Sequence, residues 1–169
     1  LEVPEGATLR IKSERGNLTI HGSDEEFLRL GSDSPRTASK VMREDRTIYI
    51  SSADANLNVR VPTKVAHIEL LQEEGNASIE KLKADKISAK VGAGNISMSE
   101  TVGKIHASLE DGKAEFSNIQ STDIAMRVRN GLISLRMSPT VKEGSFDLSV
   151  ETGNISLSLP PDSQCQLLA

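Results

Sequence analysis

The chain has 169 residues and a formal net charge of −4, the size of one domain with one sizeable core. Three Phe, one Tyr and no Trp leave almost nothing for bases to stack on, and the acidic balance offers nucleic-acid phosphates no attraction, so nucleic acid is excluded as a partner. The same scarcity argues against aromatic-rich binding surfaces, and the core must be built from Ile, Leu, Val, Ala and Met.

In chain order, the first element is an alternating stretch with Leu9 and Ile11 on one face. It runs into the phrase Gly16-Asn17-Leu18-Thr19-Ile20. Alternation predicts two short strands with one buried face, broken at the glycine. A degenerate copy follows, centred on Pro35, with Leu28 and Leu30 before it and Thr37 and Ser39 after it. It lies in the most charged segment, 21–47, where Ser39–Asp45 is predicted as a helical turn. The third copy is Ala55-Asn56-Leu57-Asn58-Val59, preceded by Ile48 and Ile50. Copies then recur at Gly75, Gly94, Gly112, Gly131 and Gly153, including Gly94-Asn95-Ile96-Ser97-Met98 and Gly153-Asn154-Ile155-Ser156-Leu157.

Eight copies of about 19 residues result. Seven and five residues before each anchor the side chain is apolar every time, from Leu9 and Ile11 to Phe146 and Leu148. The recurring corner glycines Gly16, Gly75, Gly94, Gly112, Gly131 and Gly153 are structural, since a positive φ suits glycine. Leu82, Val102, Ile119 and Val141 are predicted to turn inward at a second corner. Three residues before the glycine or alanine anchors stand Ser13, Ser52 and Gln72, then Val91, Leu109, Val128 and Val150, so the apolar face is narrower before about residue 73.

The expected fold is all-β, a single-stranded β-helix (β-solenoid) of about eight coils, roughly 38 Å long at the strand spacing. An antiparallel meander of hairpins is the alternative. Residues 1–64 are expected to form an irregular N-terminal portion with room for antiparallel pairing, 65–159 regular coils, and 160–169 a tail. Asn17, Asn56, Asn76, Asn95 and Asn154 share one column and are expected to form a ladder.

The repeated Gly-Asn-Ile-Ser phrase, its preceding alternating strand and the later Val59-Arg60-Val61-Pro62 strand resemble the bacterial putative-adhesin domains, a β-helix family of unknown function. The resemblance spans roughly residues 3–160. It implies a place in the cell envelope or outside the cell and transfers no catalytic residue. No export signal is visible, so the cytoplasm stays open. No apolar run approaches the roughly 20 residues of a membrane span. The chain opens on Leu1 rather than Met, which suggests a trimmed piece of a longer protein.

The strip Lys86, Lys90, Lys104, His106 and Arg127 is the candidate partner-binding surface. The partner would be a protein, a glycan or an anionic envelope component. No catalytic, cofactor or metal residue is assigned. His67 and His106 would stand near 10 Å apart, too far to share a metal. No two acidic residues are expected in one column on adjacent coils, which argues against a polysaccharide-acting enzyme. The single cysteine, Cys165, permits no internal disulfide, and nothing beside it suggests a nucleophile. The sequons at Asn17, Asn76, Asn95 and Asn154 follow from repetition alone. The leading function is a non-catalytic interaction scaffold. The alternative is a structural module that self-associates end to end.

Overall fold

The computed structural model describes residues 1–33 and 39–163. Twelve strands form among them: β1 (Ala7–Arg15), β2 (Leu18–Ser23), β3 (Arg29–Ser32), β4 (Lys40–Glu44), β5 (Thr47–Asp54), β6 (Leu57–Pro62), β7 (Val65–Glu74), β8 (Ala77–Glu80), β9 (Lys83–Ser99), β10 (Val102–Ile119), β11 (Asp123–Met137) and β12 (Ser145–Ser158). All belong to one curled, mixed sheet, so the chain is all-β.

The strands are organised as levels with two arms that meet at a corner. In the early levels the arms are separate strands, β1 with β2, β5 with β6, and β7 with β8. In the later levels one long strand, β9 to β12, runs through the corner. Each arm pairs in parallel with the same arm above and below, so repeat columns stack. Ile68 pairs with Ile87, Ile87 with Ile105, Ile105 with Ile124 and Ile124 with Phe146.

The order of levels in space departs from the order in the chain. β1 lies between β5 and β7, and β2 between β6 and β8. The N-terminal level is therefore inserted inside the stack. The corner glycines trace this order directly. A Cβ on Gly16 would fall onto the carbonyl oxygen of Ala55, one on Gly75 onto that of Gly16, and one on Gly94 onto that of Gly75. The corner backbone has φ of +142° at Gly94 and Gly112, so these sites lack both the conformational freedom and the space for a side chain.

Seven parallel levels stand among the described residues, about 34 Å at the strand spacing. The degenerate copy is not an eighth. β3 pairs antiparallel with β6, and β4 antiparallel with β5, so this segment caps the stack's end. Of its four apolar-column positions, Leu28 is buried and Leu30 half-buried, while Thr37, like Pro35, lies outside the described residues. Ser39–Asp45 is not a helical turn. Its residues 40–44 are β4, because pairing against β5 satisfies their backbone groups in an extended form. Cys165 and the rest of 164–169 also lie outside the described residues.

The core is a set of inward columns. Leu9, Ile48, Ile68, Ile87 and Ile105 are each 0% exposed. At the second corner Leu82 and Ile119 are buried, but Val102 and Val141 are only half-buried. Thr101, Ser121 and Ser138 are buried there instead. The hydroxyls of Thr101 and Ser121 donate to the carbonyls of Ser99 and Asp123, which removes the cost of their burial. The apolar face is narrower near the N-terminal levels, while the inward face keeps its width. Ser13, Ser52 and Gln72 continue the buried column of Val91 and Leu109, as polar members of it. The Gln72 Nε2 donates to the Gly16 carbonyl across the level boundary.

Two predictions follow from this packing. Gly112→Ala should cost about 3 kcal/mol or more, since it combines an adverse φ with a collision against the Gly94 backbone. Gly6→Ala, with φ of +70° and open space around it, should cost about 1 kcal/mol; chemical denaturation measures both. Ile105→Asp should unfold the domain, because an unpaired buried charge costs several kcal/mol against a total of about 5–15. His106→Asp, one residue along and exposed, should stay within about 0.5 kcal/mol of the parent in the same assay.

Candidate functional site: a groove on the outer face of the first arms

Alternation that points Ile87 and Ala89 inward points Ser88 and Lys90 outward. Because the levels are in register, the outward residues also form columns. The sheet curls, and the outer face of the first arms encloses an open groove of about 1090 Å³.

Two columns line it. In spatial order the first reads Tyr49, Arg10, Glu69, Ser88, His106, Ala125, Asp147. The second reads Ser51, Lys12, Leu71, Lys90, Ser108, Arg127, Ser149. The two ends of the groove differ in chemistry. Near β4 the Arg10 guanidinium stacks 5.8 Å from the Tyr49 ring centre and meets Glu69 at 2.7 Å. The hydrogen bond that Arg10 donates to Glu69, together with the charge of that carboxylate, holds the Arg10 guanidinium above its already high ordinary pKa, so it is a fixed cation. Met42 and Leu71, 56% and 40% exposed, supply apolar surface beside it.

Across β9, β10 and β11 the same two columns hold no carboxylate. Lys90, Ser108 and Arg127 lie side by side in one column, with His106 in the next. Neither Lys90 nor Arg127 forms an ion pair among the described residues, whereas Arg10, Lys12, Lys104 and Arg129 all do. Their Cα atoms are two strand spacings apart, about 10 Å. Both side chains are long enough to close over the Ser108 hydroxyl between them.

Three of the five residues picked from sequence therefore meet in the groove: Lys90, His106 and Arg127. Lys86 and Lys104 pair with each other one column outside it, and Lys104 reaches Asp123 at 3.7 Å. His67 stands beside Lys86 on the same outer column. No group of three His, Cys, Asp or Glu close enough to hold a metal exists among the described residues.

Sequence reasoning missed Arg10, Lys12 and Met42. Their place in the groove depends on the inserted level and the antiparallel cap, and column arithmetic in chain order carries no signal of either. The expectation about acidic residues fails for the same reason. Ser13 pairs with Gln72 and Arg15 with Glu74, so Glu14 and Glu73 share a column on adjacent levels.

The asparagine column borders the groove's sheet at the corner. Asn17 accepts from both the backbone and the side-chain amide of Asn76, and Asn76 does the same for Asn95. Asn56 accepts from the backbone N–H of Asn17. Asn154 is apart from this ladder, paired with Leu132, because Lys113 and Leu132 occupy the intervening levels.

No helix among the described residues is long and apolar enough to cross a membrane. Residues 2–169 match the family model described as Toastrack DUF4097. The fold is similar to the crystal structure of a putative cell adhesion protein from Clostridium sporogenes ATCC 15579. The TM-score is 0.56 at 12% identity, over 94% of this chain and 95% of that one. A search of the curated proteins finds no match.

Proposed function

The chain belongs to the Toastrack DUF4097 family, and on that footing we propose that it is a non-catalytic, solenoid-type interaction domain that binds an anionic partner in the groove of its first arms. The observation that carries the reading is the uncompensated ladder Lys90–Ser108–Arg127 in a chain of net charge −4. Two cations without an ion-pair partner among the described residues, set in a concave surface that also offers apolar contact, attract an extended anion and gain from its approach. The partner is bound through columns, by charge and shape, with no bond made or broken. The likeness to a cell adhesion protein supports a role in contact, and we assign the domain to the cell envelope or surface on that ground and on its adhesin resemblance.

The carboxylates of the groove support a non-catalytic role. Of the groove's carboxylates, Glu44 lies three strand spacings from Glu69, about 14 Å, and Glu69 lies four from Asp147, about 19 Å, both beyond the roughly 5–10 Å that separates a working glycosidase pair. Glu69 is committed to Arg10. Glu73, beside Glu14, is within 3.9 Å of Lys12.

Dextran sulfate serves as a probe, with neutral dextran as control. Calorimetric titration should detect binding of the sulfated chain alone, weakening as salt screens the charges. Lys90→Glu with Arg127→Glu should weaken it about tenfold or more, while Lys142→Glu, away from the groove, should not. Equal binding by the double variant and the parent, or no binding by the parent, would overturn the groove reading.

A further inference from the structure

The two ends of the stack are built differently. At one end β5 and β6 are covered by short antiparallel strands that carry charges, Lys40, Arg43 and Glu44 on β4 and Arg29 on β3. Short charged strands of this kind prevent further pairing at a sheet edge. At the other end, among the described residues, β12 pairs with β11 alone. A 14-residue strand leaves its far edge open.

The core is open at the same place. Inward residues of the preceding levels are sealed, as with Ile124 and Ile133 at 1% exposure, yet Ile155 is 44% exposed. Phe146, Leu148, Val150 and Leu157 are only half-buried. Unpaired backbone and uncovered apolar columns coincide on one surface, which is the condition for strand addition.

The pattern of β12 is symmetrical about its corner. Consider a second β12 laid antiparallel over the first, with the centre of pairing between Thr152 and Gly153. Val150 then stands opposite Ile155, Leu148 opposite Leu157, and Phe146 opposite Leu159. All of these belong to the inward face. The outward residues also suit one another. Asp147 meets Ser158 and Glu151 meets Asn154, so no two carboxylates stand directly opposed. A two-fold axis along the bisector of the corner produces this arrangement. It lays the first arm of one copy over the second arm of the other and keeps both core sides aligned.

We propose that this open end is an isologous dimer interface, in which β12 pairs antiparallel with β12 of a second copy and joins two stacks end to end. The head-to-tail alternative would grow into fibres and would have to pair against β3 and β4, whose short, charged strands oppose it. Assembly therefore closes at two. The interface lies on a different surface from the binding ladder, and the proposal stands or falls independently of the groove.

Sedimentation velocity over a range of concentration tests it. The parent chain should pass from monomer to dimer with no larger species. Ile155→Lys places a charge on a side chain already half open to solvent, so it should leave circular dichroism, and melting at a concentration where the parent is monomeric, unchanged while weakening dimerisation at least tenfold. Arg127→Glu should dimerise as the parent does. The register is checked by Glu151→Cys with Asn154→Cys in a Cys165→Ser background, which should yield a covalent dimer on oxidation. Four outcomes overturn the proposal: a monomer at every concentration, which would assign this end to another occupant; a dimer that survives Ile155→Lys; open-ended growth; or a folded cysteine variant that dimerises without cross-linking.

Discussion

The close approach of backbones at the corner is the constraint on which the rest depends. At the corners after the inserted level, the space a Cβ would take is filled by the glycine carbonyl of the level before. A side chain there would push two levels apart and break the hydrogen bonds of both arms. With glycine in place the levels settle at strand spacing, and every column falls into register. Register then does two things at once. It stacks Ile on Ile inside, and it stacks outward residues into columns, so a groove is a by-product of the same alternation that makes the core.

The columns were legible because they depend only on local alternation and on the distance to the next glycine. Ile87, Ile105 and Ile124 had to share a face whichever way the levels were joined. The order of the levels was not legible. Equivalent columns fit one another in any sequence, so neither periodicity nor composition distinguishes β1 beside β5 and β7 from β1 at the end. What decides the order is how segment 21–46 travels, and that segment carries the weakest repeat. Misreading it as a coil turned a cap into an eighth level. The same gap explains the site. Lys90, His106 and Arg127 sit on consecutive repeats in simple chain order, and column arithmetic found them. Arg10 meets Tyr49 and Glu69 only because β1 is inserted, and Glu14 meets Glu73 for that reason too.

Burial of polar groups in the early levels is the other feature that hydropathy misjudged. Ser13, Ser52 and Gln72 read as a break in the apolar face, yet all three are buried. Gln72 binds the Gly16 and Glu74 carbonyls, so part of its desolvation is offset. Its Oε1 and the Ser52 Oγ have no partner among the described residues, and each such group costs about 1–3 kcal/mol. These costs concentrate around the inserted level. The long-range contacts of that level hold them in place. The exposed surface, by contrast, spends its few aromatics sparingly. Phe116 fills the core, Tyr49 supports Arg10, and Phe146, inward by column, is left half-open only because its level is the last.

Insertion also changes where the stack can come apart. A linear array of repeats frays from both chain ends, since each terminal repeat has one neighbour. Here the N-terminal level has two, β5 with β6 on one side and β7 with β8 on the other. Releasing residues 1–20 means opening the stack one level in from its end. The level that takes its place at the end is closed by β3 and β4. Among the described residues that leaves β12 as the weak level, with a single neighbour and half-buried apolar columns. The groove's cationic ladder spans β9 to β11, with β12 between it and the open end. The stability of the site is thus tied to whatever covers β12, which makes the end of the stack as much a part of the binding surface's support as the glycine column that spaces it.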